Sequence, residues 1–279
     1  MLDKNKKRAV CHSDSGFALG RHITIEYYDC VSDVLLDKCE VESILLEAAR
    51  QSGATVVSSS FHQFEPQGVS GVVIIAESHF TVHAWPEHNY AAVDIFTCAD
   101  NIDLDIAIHS MEARFSSQRV FISSDQNRGI LDPGARGCMP NSNKKVMERR
   151  TRPIAWKKVF ENTTPWAMST AVDLYDCSPE MIKDPECIKR FVDQVGGKLG
   201  ALDPEKASRV YYDDSQTVAG FSTIRSIETF GLSGHFAHAK NAVYLDFFSC
   251  NRYEPRELAE FSLSYFLGSN YKIQVALRQ

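Results

Sequence analysis

The chain has 279 residues, 44% of them hydrophobic, which is enough for one large core or two smaller ones. Its formal net charge is −6, so it lacks the basic surplus that phosphate contacts need, and we expect no binding to nucleic acid. No apolar run approaches the length of a membrane span, and the basic amino terminus lacks the apolar stretch of a signal peptide. We therefore expect a cytoplasmic protein that does not enter a membrane.

The 8 cysteines include no CxxC pair, and their spacing matches neither a zinc site nor a disulfide scaffold. Two histidine pairs, His79 with His83 and His235 with His238, lack further ligands at the spacing of a structural metal site. We therefore expect no bound metal, and a reducing compartment.

Strand and helix patterns alternate along the whole chain. In the first half we expect strands over 20–30, 54–64, 69–75, 90–98 and 119–124, and a further strand that ends at residue 85. We expect helices over 41–51 and 102–115. In the second half we expect strands over 170–177, 209–212, 241–250 and 272–277, and helices over 185–200 and 255–266. The predicted organisation is a mobile arm (1–17), a first repeat (18–125), a linker rich in glycine and proline (126–165) and a second repeat (166–279).

The second half repeats chemistry-bearing residues of the first half at one offset. Four pairs are separated by the same number of positions, namely Ser70 and Ser222, His83 and His235, Asp94 and Asp246, and Cys98 and Cys250. This regularity predicts an internal duplication. Two sheets, each covered by helices on its outer face, would then pack as an α+β fold, a four-layer α/β/β/α sandwich built from two duplicated halves.

The segment between Gly68 and Cys98 concentrates nucleophile, acid–base and carboxylate residues on three neighbouring predicted strands. This segment and the sequence upstream of it resemble the pyruvoyl-dependent S-adenosylmethionine decarboxylases of bacteria and archaea. The resemblance lies in AESHFTVHAWPEHNYAAVDIFTC and, upstream, in GRHITIEYYDC and SGATVVSSSFHQFEPQGVSG. The resemblance is close over about residues 17–125. It implies the sandwich fold just described, with a homodimer of that family fused here into one chain as a pseudo-dimer.

The resemblance also implies a self-made cofactor. The Ser78 hydroxyl would attack the carbonyl of Glu77, the chain would break between these residues, and Ser78 would become a covalent pyruvoyl group. The two fragments of the precursor would remain together. A ketone suits decarboxylation because its Schiff base with the substrate amine accepts the electrons released with carbon dioxide.

In the resembling family each active site lies between two copies. The site that contains Ser78 and the proton donor Cys98 would be completed by Ser222 and His235 from the second repeat. A mirror site would hold Ser70, His83 and Glu87, and Trp85 is a further candidate for substrate binding. At the positions of Glu77 and Ser78 the second repeat has Thr229 and Phe230, so we expect one working site per chain.

The expected substrate is a small amino-acid-type molecule. The family stacks adenine on a phenylalanine and binds ribose with a glutamate, which correspond to Phe64 and Glu87 in the mirror site. The working site has Gln216 and Ala239 at these positions. These two residues favour a smaller substrate, but S-adenosylmethionine decarboxylation in polyamine (spermidine) biosynthesis is our first hypothesis because the resembling family catalyses it. Arginine or ornithine decarboxylation by the same mechanism is the alternative, and an inactive regulatory paralogue is a third; further homodimerisation is open.

Overall fold

The computed structural model describes residues 20–99, 101–129, 156–199, 209–213, 220–227 and 230–278. The predicted arm (1–17) lies outside the described residues, as does most of the predicted linker. For residues 209–213 and 220–227 the backbone alone is described.

The first half forms a six-stranded antiparallel sheet with helices on one face. Its elements are β1 (Gly20–Tyr28), α1 (Ser32–Leu36), α2 (Lys38–Gln51), β2 (Val56–Gln63), β3 (Val69–Ile75), β4 (Ser78–Trp85), β5 (Tyr90–Thr97), α3 (Leu104–Phe115) and β6 (Arg119–Arg128). The strand order is β2-β3-β4-β5-β1-β6. Buried residues of α2 and α3 share one apolar core with one face of this sheet.

The second half repeats this arrangement strand for strand. Its elements are α4 (Trp156–Thr163), β7 (Ala167–Tyr175), α5 (Pro179–Ile182), α6 (Pro185–Lys198), β8 (Arg209–Asp213), β9 (Gly220–Ile227), β10 (Phe230–Ala237), β11 (Ala242–Ser249), α7 (Pro255–Tyr265) and β12 (Asn270–Arg278). The strand order β12-β7-β11-β10-β9-β8 is that of the first sheet with each strand replaced by its counterpart. The duplicated sandwich predicted from the sequence is therefore confirmed.

Three of the longer helices begin at an aspartate. The side chains of Asp37, Asp103 and Asp184 accept hydrogen bonds from backbone N–H groups in the first turns of α2, α3 and α6. Such caps satisfy donors that have no partner within the helix. They fix where the helices start over the sheets.

Several elements differ from the sequence prediction, which contains no counterpart of α1, α5, β9 or β10. Strand β6 continues to Arg128, four residues beyond the expected strand end, and α4 lies inside the range predicted as linker. The remaining boundaries of the predicted repeats and linker stay predictions.

The two sheets face each other through surfaces that carry many polar side chains. Along β1, Ile23 and Ile25 belong to the apolar core beneath the helices, whereas the alternating residues His22, Thr24 and Glu26 are buried outside it. Buried histidine, aspartate and serine side chains recur in the same way on β4, β5, β10 and β11. Buried polar groups of this kind require partners, and the opposite sheet supplies many of them.

Two arginines cross between the halves in a reciprocal exchange. Arg128, the last residue of β6, pairs with Asp173 at 2.8 Å and with Asp246, both in the second half. Arg278, the last residue of β12, pairs with Glu26 at 2.9 Å and Asp94 at 3.0 Å in the first half. Both arginine side chains are fully buried.

Backbone carbonyls complete each arginine site. Arg128 also donates to the carbonyls of Val172 and Leu245, and Arg278 donates to those of Ile25 and Val93. Burial alone would raise the pKa of the Asp94 carboxyl, but the Arg278 guanidinium holds it well below its ordinary value. The two halves are thus joined by two ion-pair sites whose arginines are fully buried.

We predict that Arg278→Met lowers the free energy of unfolding by about 3–5 kcal/mol, because Glu26 and Asp94 would remain buried without their cation. Urea denaturation followed by circular dichroism measures the change. The matched control is Arg252→Met, which removes an exposed ion pair with Glu161 and should have a much smaller effect. Equal losses in the two variants would contradict the central role of the exchange.

Candidate active site

The residues Glu77 and Ser78 lie at a tight turn between two buried strands. Ile75 pairs with Ser78, so Ala76 and Glu77 form the two-residue turn of the β3–β4 hairpin. Ser78 is buried and has a φ of 146°, a value that a residue with a side chain rarely adopts. The peptide bond before Ser78 therefore lies in a strained stretch of backbone, a feature common at functional sites.

The carbonyl group of Glu77 has a fixed hydrogen-bond donor. The backbone N–H of Cys98 donates to Glu77 O at 2.9 Å, because Cys98 follows the strand that pairs with β4. The Glu77 carboxylate in turn accepts from the Thr55 backbone N–H at 3.1 Å. A donor aimed at a carbonyl oxygen stabilises the negative charge that develops there when a nucleophile attacks the carbon.

The imidazole of His79 joins Ser78 to the second half. Its Nδ1 lies 3.1 Å from Ser78 Oγ, and its Nε2 lies 3.0 Å from Ser233 Oγ and 3.7 Å from Asp246 Oδ2. Burial lowers the pKa of His79 to about 4, against the attraction of Asp246, so the ring is neutral at physiological pH.

The Cys98 side chain also contacts residues of the second half. It packs against a small cluster formed by Phe96 with Ala237, Ala242 and Tyr244. Burial raises the pKa of Cys98 to about 12, although the charges of Arg128 and Lys240 oppose the shift. The thiol is therefore protonated at neutral pH and can donate a proton.

His235, on β10 of the second half, lies near His79. Its ring is buried, and burial together with nearby His79 lowers its pKa to about 4. Its backbone pairs with that of Ser222 on β9, as His83 pairs with Ser70 in the first half. His235 thus lies near His79, whose ring contacts Ser78 on one side and Ser233 on the other.

The mirror site is built from the opposite end of β4. Ser70 Oγ lies 2.7 Å from His83 Nδ1, and the His83 ring stacks on Phe248 with centroids 3.4 Å apart. Gly231, the counterpart of His79, lies against the same ring, since a Cβ added there would be 3.5 Å from His83 Cε1. A side chain at position 231 would therefore contact the His83 ring.

Strand geometry explains why each site needs both halves. Ser78 and His83 are five residues apart on one strand, a separation of roughly 17 Å. His83 therefore contacts Ser70 but cannot reach Ser78 of the same half. Across the interface, His235 instead lies near His79, and His83 lies against Gly231, the counterpart of His79.

The predicted substrate-binding residues have diverse surroundings. Trp85 stacks on Tyr90, Phe64 is half-buried after β2, and exposed Glu87 accepts a hydrogen bond from Gln67. Ala239 is exposed in a short 3₁₀ turn after β10. Gln216 lies outside the described residues.

A cavity of about 200 Å³ separates the inner faces beside this site. Its walls include Ser233, Asp246, His22, Asp94 and His83, but neither Ser78 nor Cys98. The cavity therefore adjoins the group around Ser78 without containing its nucleophile or its thiol.

Sequence reasoning missed three contributors to this site: His79, Ser233 and Arg128. His79 stands in the segment that carries the resemblance, but its spacing from His83 raises only the question of a metal ligand.

Among the described residues, no group of three or more His, Cys, Asp or Glu side chains is placed to hold a metal ion. The described part of the chain also has no helix that is long and apolar enough to span a membrane.

Comparison with known proteins gives one consistent family. A solved adenosylmethionine decarboxylase from Aquifex aeolicus is 32% identical, covers 42% of this chain and 95% of its own, and has a TM-score of 0.39, too low to carry an argument. The curated S-adenosylmethionine decarboxylase proenzyme of Thermosipho melanesiensis is 51% identical over 105 residues, 38% of this chain and 81% of that protein. The proenzyme of Pseudomonas paraeruginosa is 50% identical over 112 residues, which are 40% of this chain and 69% of that protein.

The family model for S-adenosylmethionine decarboxylase matches two successive segments, residues 21–128 and 168–279. Each curated relative aligns with less than half of this chain, as expected if the chain contains two copies of the unit. Because the family model matches both halves, this chain belongs to the S-adenosylmethionine decarboxylase family.

Proposed function

We propose that the chain cleaves itself between Glu77 and Ser78 and then decarboxylates S-adenosylmethionine for polyamine synthesis. One observation carries the proposal: a strained, buried Ser78 follows a carbonyl that already accepts a hydrogen bond from the Cys98 N–H. Strain in the backbone and a donor on the carbonyl both favour attack by the serine hydroxyl. The proenzyme names of the relatives agree with such processing.

The residues around Ser78 fit a pyruvoyl group at that position. Such a group, derived from Ser78, would supply a ketone that accepts electrons when carbon dioxide leaves the substrate. The site excludes water through burial, and the neutral thiol of Cys98 stands ready as a proton donor.

The roles of the second-half residues follow the resemblance. His235 is neutral and buried beside His79, which suits removal of a proton during processing. Ser222 would stabilise the processing intermediate, and its backbone pairing with His235 supports this assignment. The site with Ser70, His83 and Glu87 has Phe230 at the nucleophile position, so it makes no cofactor.

The same proposal covers the state of the chain. The fragments 1–77 and 78–279 would remain associated, since β3 and β4 stay paired in one sheet and the arginine exchange joins the halves. The chain would thus act as a pseudo-dimer. Its cytoplasmic location stays a prediction.

Self-cleavage should be visible directly on a denaturing gel. We predict that the purified chain migrates as fragments 1–77 and 78–279, and that Ser78→Ala remains intact because it has no hydroxyl nucleophile. Intact-mass spectrometry should detect the loss of the serine amine from residue 78. An uncut, active chain with an ordinary serine would contradict the mechanism.

Substrate choice separates the leading hypotheses. We predict that carbon dioxide is released from S-adenosylmethionine at a rate at least about tenfold above that from arginine or ornithine. Ala239, exposed where the mirror site carries Glu87, is the feature that favours the smaller substrates. If the chain preferred arginine or ornithine, the proposed substrate would be wrong but the proposed self-cleavage would stand. If a cleaved chain were inactive towards all three substrates, a regulatory role would be favoured.

The two cysteines at equivalent positions provide a matched test of the proton donor. We predict that Cys98→Ala still cleaves itself, because the backbone N–H of residue 98 still donates to Glu77, but loses roughly 100-fold or more in decarboxylation. Cys250→Ala removes the same group from the mirror site and should leave both reactions unchanged. Similar losses in the two variants would contradict the assignment of Cys98.

A further inference from the structure

His79 makes a contact that consecutive residues of a regular strand do not make. Successive side chains of a strand point to opposite faces, yet Ser78 Oγ lies 3.1 Å from His79 Nδ1. The unusual φ of Ser78 turns its hydroxyl towards the following ring. Strain at Ser78 and contact with His79 are therefore one geometric feature.

The surroundings of the ring fix which nitrogen carries its proton. Asp246 Oδ2 can only accept a proton, and it lies on the Nε2 side at 3.7 Å, with Ser233 Oγ at 3.0 Å. The same carboxylate is held through its other oxygen by Arg128. A proton on Nε2 is thereby favoured, which leaves the lone pair of Nδ1 directed at the Ser78 hydroxyl.

The second half gives an internal comparison. The pairs His83 and His235, Ser70 and Ser222, and Cys98 and Cys250 are present in both halves, whereas Ser78 and His79 are replaced together by Phe230 and Gly231. The half without the nucleophile also lacks the imidazole next to it.

We infer that His79 is the general base that activates the Ser78 hydroxyl for self-cleavage. This inference rests on the proposed cleavage between Glu77 and Ser78. The resemblance assigns His79 no such role, since it uses a histidine of the other half for a later proton transfer.

The proton and electron movements balance without another reactant. The Ser78 hydroxyl proton moves to His79 Nδ1 while Oγ bonds to the Glu77 carbonyl carbon, and the carbonyl electrons move onto oxygen beside the Cys98 N–H. The proton then passes to the Ser78 nitrogen as the carbon–nitrogen bond breaks and the carbonyl re-forms. The product of this step is an ester between Glu77 and the Ser78 oxygen.

The test follows ester formation and cleavage rather than decarboxylation. In His79→Asn the amide oxygen can still accept a hydrogen bond from Ser78 but is not a base. We expect freshly synthesised His79→Asn precursor to form fragments at least about 100-fold more slowly than the unchanged chain, and to contain no ester that hydroxylamine cleaves. His109→Asn, the same change at an exposed position on α3, should cleave at the normal rate.

A second variant covers the case in which His79→Asn does not fold, as judged by urea denaturation against Ser78→Ala. Ser233→Ala keeps the imidazole but removes its Nε2 partner, and should slow cleavage about tenfold. The inference would be overturned if a folded His79→Asn cleaved at the normal rate or accumulated the hydroxylamine-sensitive ester. If His79→Asn does not fold, normal cleavage of Ser233→Ala would overturn it. Failure of the unchanged chain to cleave would instead overturn the proposed function.

Discussion

The structure depends on the exchange of two buried arginines between its halves. Moving a guanidinium and two carboxylates out of water is costly unless each charge finds its partners. Here Arg128 and Arg278 each meet two carboxylates and two backbone carbonyls of the opposite half. Separating the sheets would therefore leave both arginines and four carboxylates without their partners at once. This reciprocity explains how two sheets with polar inner faces can form one stable interior.

The same exchange organises the chemistry. Asp246 accepts Arg128 through one oxygen and lies beside His79 through the other, so the contact that joins the halves also orients the ring next to Ser78. The positive charge of Arg128 further opposes the rise in the pKa of Cys98. The group of residues around Ser78 thus includes side chains from both halves. Fusing two copies into one chain preserves this dependence while allowing the two sites to diverge.

The sequence is informative about the fold because the duplication repeats whole elements at a nearly constant spacing. The resembling segment contains Ser78 and Cys98, the offset identifies His235 as the counterpart of His83, and the resemblance alone predicts that His235 lies in the site of Ser78. The arginines cannot be found in this way. Arg128 falls in the predicted linker and Arg278 beyond the last predicted strand, because neither periodicity nor propensity shows that a charged residue at a strand end is buried by a distant partner. The available signal is the repeated pair Asp94 and Asp246, two inward-facing carboxylates that each require a cation.

The two sites have diverged in a way that packing makes difficult to reverse. At the positions of Ser78 and His79 the second half has Phe230 and Gly231, and the His83 ring lies against Gly231 and stacks on Phe248. A hydroxyl at position 230 alone would lack the imidazole that follows Ser78. Meanwhile Ser70 and His83 retain their hydrogen bond, which satisfies two buried polar groups whether or not they take part in catalysis. Structural necessity can therefore preserve a serine–histidine pair after its reaction is lost. The presence of such a pair is thus weaker evidence for activity than the strained serine, the polarised carbonyl and the oriented imidazole together.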